Sequence, residues 1–575
     1  METLNSIMAA MNAVLWHNSV LFILLGTGVV FTVWSGFSQY RALTHGTAIL
    51  RGRYDDPNDP GSINHFQALS AALSATVGLG NIGGVAIAIT LGGPGAVFWM
   101  WVVGFFGMAL KFTEVTLAML YRNTDDPDNP HGGPMWVVSK GLAQMNPKLA
   151  WLGTLIGGIF CITLLISATT GGNMFQAWNV GEVTHEYFGI PTIVSGIVLA
   201  ILVSMVIIGG IKRIGAVAGR LVPIMVALYL LAGGYVLIAN FEAIPATLAL
   251  IVTSAFSPHE AVGAFLGGTV GFAFLMGMKR ALFSNEAGQG SSPIAHAAAK
   301  TDEPVREGLV GGLEPFIDTL VVCTFTALVI LTSGIWNRGA EAVLDPIPEP
   351  IEVAQNVWSL PSASVPEREI NGGWTAGDEV FVIVRAHANT NTGNDLHRLY
   401  GRISEGDGGL EIEWRRLRSD TPPTLADGGL YVAYPGATLT ARAFDSVTPG
   451  LGMWLITLAT WLFAFSTIIS WGYYGEQGMV FLAGTRSVLP YKVVYTGLIL
   501  VATSGLITTS AELDNLTGIG VGVMLFANLP IMWIFGYQAM RAYREYLARL
   551  RSGDLDRGHR PPPVTDLISG RDVER

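Results

Sequence analysis

Hydrophobic residues run along this chain in blocks of membrane length separated by short polar stretches, without the strict alternation of strands or the single apolar stripe of soluble amphipathic helices. A hydrocarbon core about 30 Å thick is crossed by about 20 apolar residues in helix. Blocks of that size lie at 17–37, 66–91, 95–121, 149–176, 191–211, 217–239, 261–283, 308–335, 450–474, 490–510 and 518–540. The pattern predicts an all-α polytopic membrane protein of about eleven spans. The first block is of full membrane length and no Lys or Arg precedes Arg41, so it reads as a retained helix and not as a cleaved signal.

Two blocks are interrupted. Residues Ser74 to Gly84, SATVGLGNIGG, place four glycines with Thr76 and Asn81 at mid-depth, where hydrocarbon offers no water to satisfy a loosened backbone. Where a spanning helix unwinds, freed N–H groups can hold an anion and freed carbonyls a cation, as in many ion-coupled transporters. Residues Gly267 to Gly277, GGTVGFAFLMG, repeat the theme five blocks later. Close helix packing explains glycines alone. Thr76, Asn81 and Thr269 beside them, and the matching separation, favour a five-plus-five inverted repeat preceded by one extra helix.

Between the eighth and ninth blocks the character changes. From about Asn337 to Ser446 the chain is polar and acidic, and its segments Glu379 to Ala386, Gly409 to Leu417 and Gly429 to Ala433 are rich in Val, Ile, Tyr and Phe between turn residues. They predict a small β-rich module, read as a lid or an external contact surface for a partner. Its His387 and His397 read as surface residues and not as metal ligands. The organisation expected is therefore a membrane part over 1–336, the insertion over 337–446, a second membrane part over 447–545 and a mobile, Pro- and charge-rich tail over 546–575.

Charge then supplies orientation. Arg41, Arg51, Arg53, Arg122, Lys140, Lys148, Lys212, Arg213, Arg220, Lys300 and Arg306 fall in alternate loops, while the short loops between carry no Lys or Arg. The positive-inside rule puts the N-terminus and the insertion outside the cell membrane and the C-terminal tail in the cytoplasm. With half of the residues hydrophobic and 13% charged, the chain reads as a lipid-embedded protein, with no support for nucleic-acid binding and no organic cofactor motif. Cys161 and Cys323 both lie in apolar blocks and read as small buried hydrophobes.

Ionisable residues at membrane depth face partners or cavities. Lys111 and Glu114 are one turn apart, as are Glu314 and Asp318, and Glu286 lies in an SNEAG turn near Arg280. They read as an ion-pair network closing the inner side in preference to a proton relay. Asn173, Gln176 and Asn179, three residues apart, share one face of the fourth block; interhelical hydrogen bonding and substrate binding explain them equally well.

The strings GLGNIGGVAIAITLGGPGAVFWMW, HGGPMWVVSKG, KRALFSNEAGQGSSPIAHAAAKTDEPVREGLVGGLEPFIDTLVVCTFTALVI and FSTIISWGYYGEQ closely resemble the sodium:alanine/glycine symporter family, the amino acid carrier proteins. The resemblance spans nearly all the apolar blocks and fails over the insertion and the tail. It implies a LeuT-type fold with one added N-terminal helix, importing small neutral amino acids with Na+ by alternating access. By that resemblance the Leu79 and Gly80 amides would hold the substrate carboxylate, beside Thr76 and Asn81. The carbonyls of Ser74 and Val77 with the hydroxyls of Ser466 and Thr467 would hold sodium, hard oxygens suiting a hard cation. Asn173 and Gln176 would hydrogen-bond the amino acid, with Gly268, Thr269, Phe272 and Trp471 walling the site. A membrane-bound enzyme would need a convergent acid, base or nucleophile set that the chain does not display. An amino-acid sensor or a proton-coupled carrier are the alternatives to sodium symport.

Overall fold

The computed structural model describes residues 2–257, 261–368, 373–388, 394–406, 409–434, 436–506, 510–556 and 561–569. Among them seven helices are long and apolar enough to cross a membrane, and eight if the bent pair His65–Thr76 and Gly80–Gly92 is one span. The expected eleven is not reached, because the blocks at 191–211, 261–283 and 490–510 form the helices Thr192–Ile207, Val270–Asn285 and Val488–Thr503, each of 16 residues. Such a helix rises about 24 Å, short of a full hydrocarbon thickness. Two stretches expected as loops are helical, Ile244–Ser254 and the start of Ser510–Ser552.

The first interruption is a true break. The helix His65–Thr76 starts on a capping box in which Asn64 Oδ1 accepts the Gln67 N–H at 2.8 Å and Gln67 Oε1 accepts the Asn64 N–H at 3.2 Å. It ends at Thr76, Val77 turns to ψ 97°, and the continuation through Gly92 leaves at an angle of 53°. The second interruption falls at the start of the expected run, where Gly267 takes φ 77° and Thr269 is extended, so that the helix begins only at Val270. Val270–Asn285 is one continuous helix through Gly271 and Gly277, and a Cβ on Gly277 would come within 2.3 Å of the Ala96 carbonyl oxygen. That glycine serves close helix packing. The backbone breaks after it, at Glu286–Ser292, where Glu286, Gly288 and Gly290 all take positive φ before a short helix at Pro293–His296.

The β-rich insertion forms as expected, with more strands than the sequence pattern picks out. In its six-stranded antiparallel sheet Thr424–Val432 lies beside Glu379–Arg385, followed by Leu396–Gly406 and Gly409–Trp414, with Ala342–Val343 and Ala363–Ser364 at the two edges. Alternation sorts the side chains: Val380, Val382 and Val384 face a core with Leu399, Ile403, Ile412 and Leu430. Phe381, Ile383 and Tyr431, on the other face, pack on Ala264. The Arg398 guanidinium donates to the Ala264 carbonyl at 2.7 Å. His397 Nε2 meets the His387 carbonyl at 2.8 Å at the module's surface. The final part of the 337–446 segment does not belong to the module: Ala437–Asp445 is a helix whose Leu439 and Phe444 sit in the main core, and Thr440 Oγ1 donates to the Ile82 carbonyl at 3.1 Å.

The tail is partly anchored. Val564–Ser569 is helical with Leu567 buried, and Arg541 donates to the Leu567 carbonyl at 2.9 Å. A cation on the terminal carbonyls of a helix completes hydrogen bonds the helix cannot make itself, which is why this stretch of the tail docks.

Candidate functional site

Four wide, π-type turns occur among the described residues, at Ala42–Gly46, Gly80–Gly84, Thr170–Met174 and Phe316–Cys323, and the last three meet inside the bundle. Such turns loosen the backbone ladder and recur at functional sites. They bring together the first break, the amide-bearing helix and Asp318.

At the first break Asn81 acts as a clasp. Its Oδ1 accepts the Gly78 N–H at 2.7 Å, and its Nδ2 donates to Asp318 Oδ1 at 2.6 Å and Ser284 Oγ at 3.1 Å. Asp318 also accepts from Ser284 Oγ at 2.7 Å and Thr319 Oγ1 at 2.9 Å. Asn81 is fully buried, and these bonds fix the unwound backbone from behind. Cys323 adds its Sγ as a weak acceptor 3.3 Å from Asn81 Nδ2, while Cys161 is buried; both cysteines are free thiols.

The oxygens expected to hold sodium converge. Ser74 Oγ donates to the Ser466 carbonyl at 2.6 Å, and Ser466 Oγ lies 3.3 Å from the Ser74 carbonyl, across 392 residues of sequence. Thr467 Oγ1 is buried with no hydrogen-bond partner among the described residues, and a Cβ on Gly78 would lie 3.0 Å from it. Val77 is buried in the unwound stretch beside them.

A small cavity opens beside this backbone. Of the residues expected to bind substrate, Thr76, Leu79, Gly80, Gln176 and Trp471 line it, and Thr467, expected to hold sodium, lines it as well. Gln176 Nε2 donates to the Gly171 carbonyl at 3.0 Å, while its Oε1 is buried with no partner among the described residues. Trp471 forms an edge contact with Tyr474 and packs on Gly172, where an added Cβ would fall 2.4 Å from the Trp471 Cβ. Gly172→Val is accordingly expected to cost about 1–3 kcal/mol by overpacking, seen as a lowered thermal midpoint in detergent, with Gly172→Ala milder.

Other expected residues stand back from the cavity. Asn173 is fully buried and donates to the Tyr495 carbonyl at 2.6 Å, tying two helices together, and Asn179 donates to the Phe175 carbonyl of its own helix at 2.7 Å. Gly268, Thr269 and Phe272 belong to the start of the Val270–Asn285 helix, where Thr269 Oγ1 caps the Phe272 N–H at 3.2 Å; they are not among the residues lining the cavity. Their places are taken by the other end of that helix, Phe283, Glu286 and Gln289, and by Ser167, Thr517 and Val521. A signal for the first three existed: SNEAGQGSS holds two glycines among polar residues, beyond the end of the apolar block.

Beside the site lies a buried charge cluster. Lys111 Nζ is 3.3 Å from Glu314 and 3.7 Å from Glu114, and Ser292 bridges Lys111 to Glu314. His296 joins Glu314 to Glu307, which also meets His65. Asn528 donates to Glu114 at 2.9 Å. The charges are interleaved and their hydrogen bonds link five stretches of chain, the form of a structural network. Glu286, expected near Arg280, accepts a hydrogen bond from Ser291.

Apolar spans around a small cavity opened by broken helices define a polytopic membrane transporter. The chain matches the sodium:alanine symporter family over residues 1–352 and 427–559, and it belongs to that family. The unmatched stretch falls inside the insertion. The chain is similar to a Methanococcus maripaludis protein named sodium/alanine symporter AgcS, 34% identical over 524 residues that cover 91% of this chain and 93% of that one. It is similar also to an uncharacterized transporter of Haemophilus influenzae, 32% identical with 96% and 98% covered, and to the amino-acid carrier protein AlsT of Bacillus subtilis, 38% identical with 56% and 65% covered. Among solved structures the crystal structure of MhsT in complex with L-phenylalanine aligns with a TM-score of 0.48 at 13% identity, covering 84% of this chain and 92% of that one. The protein is thus a multi-pass amino-acid symporter and not an enzyme.

Proposed function

We propose that this protein imports small neutral amino acids, alanine and glycine, with sodium across the cell membrane by alternating access. The observation that carries the reading is the convergence of Ser74, Ser466 and Thr467 oxygens on the unwound Thr76–Leu79 stretch, next to a cavity that Gln176, Trp471 and Thr467 line. A cation at those oxygens and a carboxylate in the cavity would share that stretch of backbone, each helping to fix the conformation the other needs. The exposed N-terminal end of the Gly80–Gly92 half-helix carries roughly half a positive charge, suited to the carboxylate. The Trp471 ring closing on Gly172 leaves room for a short side chain.

In this reading the two interrupted spans open the two halves of an inverted repeat, the second at the Gly267–Gly277 run, with the insertion outside and both the tail and the Lys111 cluster toward the cytoplasm. The test is uptake of labelled alanine into proteoliposomes holding the full chain, with an inward sodium gradient. Accumulation above equilibrium that collapses in sodium-free buffer is the expected result. Binding without accumulation would make the protein a sensor, and accumulation that follows a proton gradient without sodium would make it a proton-coupled carrier.

A further inference from the structure

Glu286 ends the Val270–Asn285 helix with φ 54°, a left-handed conformation usually left to glycine or asparagine. Side chains held in that region cluster at ligand sites, where the surrounding structure maintains the strain. The Glu286 carboxylate is 4% exposed, accepts a hydrogen bond from Ser291 and lines the cavity, where it is the one charged group among the described lining residues. The first break lines the same cavity and packs on the end of the same helix: a Cβ on Gly80 would lie 3.8 Å from the Phe283 ring and 3.9 Å from the Ser284 Cα. The cavity is therefore flanked by the N-terminal, positive end of one half-helix and the C-terminal, negative end of another, with a carboxylate added at the negative end.

An α-amino acid zwitterion presents a carboxylate and an ammonium on adjacent atoms, which matches that polarity end for end. We propose that Glu286 receives the substrate's α-ammonium and makes it the group by which the carrier separates an amino acid from a hydroxy acid or fatty acid of the same size. The assignment rests on the amino-acid reading above and adds the recognition element to it. A charge-assisted hydrogen bond from ammonium to carboxylate is strong, and a site built around such a pair rejects an analogue that leaves the buried group unpaired. Gln289, whose Nε2 donates to the Leu282 carbonyl at 2.8 Å, holds the turn on which Glu286 sits.

The experiment measures competition by lactate, propionate and unlabelled alanine against labelled alanine uptake in proteoliposomes at saturating sodium. For the wild type, lactate and propionate fail to compete at concentrations a hundredfold above the alanine KM. With Glu286→Gln the alanine KM rises at least tenfold, about 1.4 kcal/mol per decade, the maximal rate changes less, and the preference for alanine over lactate falls by a similar factor. Glu286→Asp, which keeps the charge, retains more of that preference than Glu286→Gln. Wild-type uptake inhibited equally by lactate and alanine overturns the proposal without any variant, as does Glu286→Gln with unchanged KM and preference. Absence of wild-type alanine uptake would instead refute the function proposed above.

Discussion

Lys111→Met should lower the stability of the folded protein by about 3–5 kcal/mol, the cost of leaving buried charges without their partner. The ammonium is fully buried, 3.3 Å from Glu314 and 3.7 Å from Glu114. Glu314 Oε2 and Glu114 Oε1 have no hydrogen-bond partner among the described residues, so the positive charge of Lys111 is what offsets those two oxygens. Methionine fills much of the space and removes the charge. The loss is read as a drop in thermal midpoint in detergent, and Lys111→Met with Glu314→Gln should recover part of it, since removing a charge together with its partner is far less costly than removing one alone. A midpoint unchanged in Lys111→Met would show that the cluster stays neutral by other protonation and that Lys111 is not its keystone.

The second large effect belongs to the Ser466 and Thr467 hydroxyls. In Ser466→Ala with Thr467→Ala, the sodium concentration for half-maximal alanine uptake should rise about a hundredfold, taking about 1.5 kcal/mol for each oxygen withdrawn from a charged ligand. Ser466 Oγ also donates to the Phe463 carbonyl at 2.9 Å, a bond within its own helix, so stability should fall by about 1 kcal/mol and no more. The two readouts separate: a sodium shift without a matching fall in thermal midpoint marks loss of ion binding. Unchanged sodium dependence in a well-folded double variant would remove these hydroxyls from the sodium site. The single variants divide the effect, and Thr467→Ala should show it more cleanly, because its hydroxyl has no hydrogen-bond partner to lose among the described residues.

The two breaks show how unevenly the site could be read from sequence. Ser74 to Gly84 combines small and polar residues inside an apolar block, a local anomaly with a local cause, and the structure unwinds there. Gly267 to Gly277 carries the same letters, and its first residues up to Thr269 do lie outside helix with Gly267 at positive φ, but from Val270 the helix runs unbroken through Gly277, which meets the Ala96 carbonyl of a neighbouring helix. Nothing in a single sequence states which neighbour a glycine faces. A further break lies beyond the end of that run, at Glu286–Ser292, in a stretch polar enough to pass for a loop at the end of a span. In the same way Asn173 and Gln176 share a helical face, but only Gln176 reaches the cavity, since Asn173 is engaged by Tyr495.

Composition and hydropathy determined by themselves that the chain is a helical membrane protein with a β-rich insertion, and glycine chemistry marked the first break. Both follow from short-range physics: transfer of side chains into hydrocarbon and the cost of an unsatisfied backbone depend on residues near in sequence. The family resemblance supplied the residues expected to hold sodium, though not their meeting. Only the tertiary structure decided that Ser74 meets Ser466, that Asn81 is clasped by Asp318 and Ser284, that Lys111 is enclosed by two glutamates, and that Glu286 faces the cavity in place of Phe272. These depend on which helices pack together and in what rotation, a property of the whole bundle that no local window of residues contains.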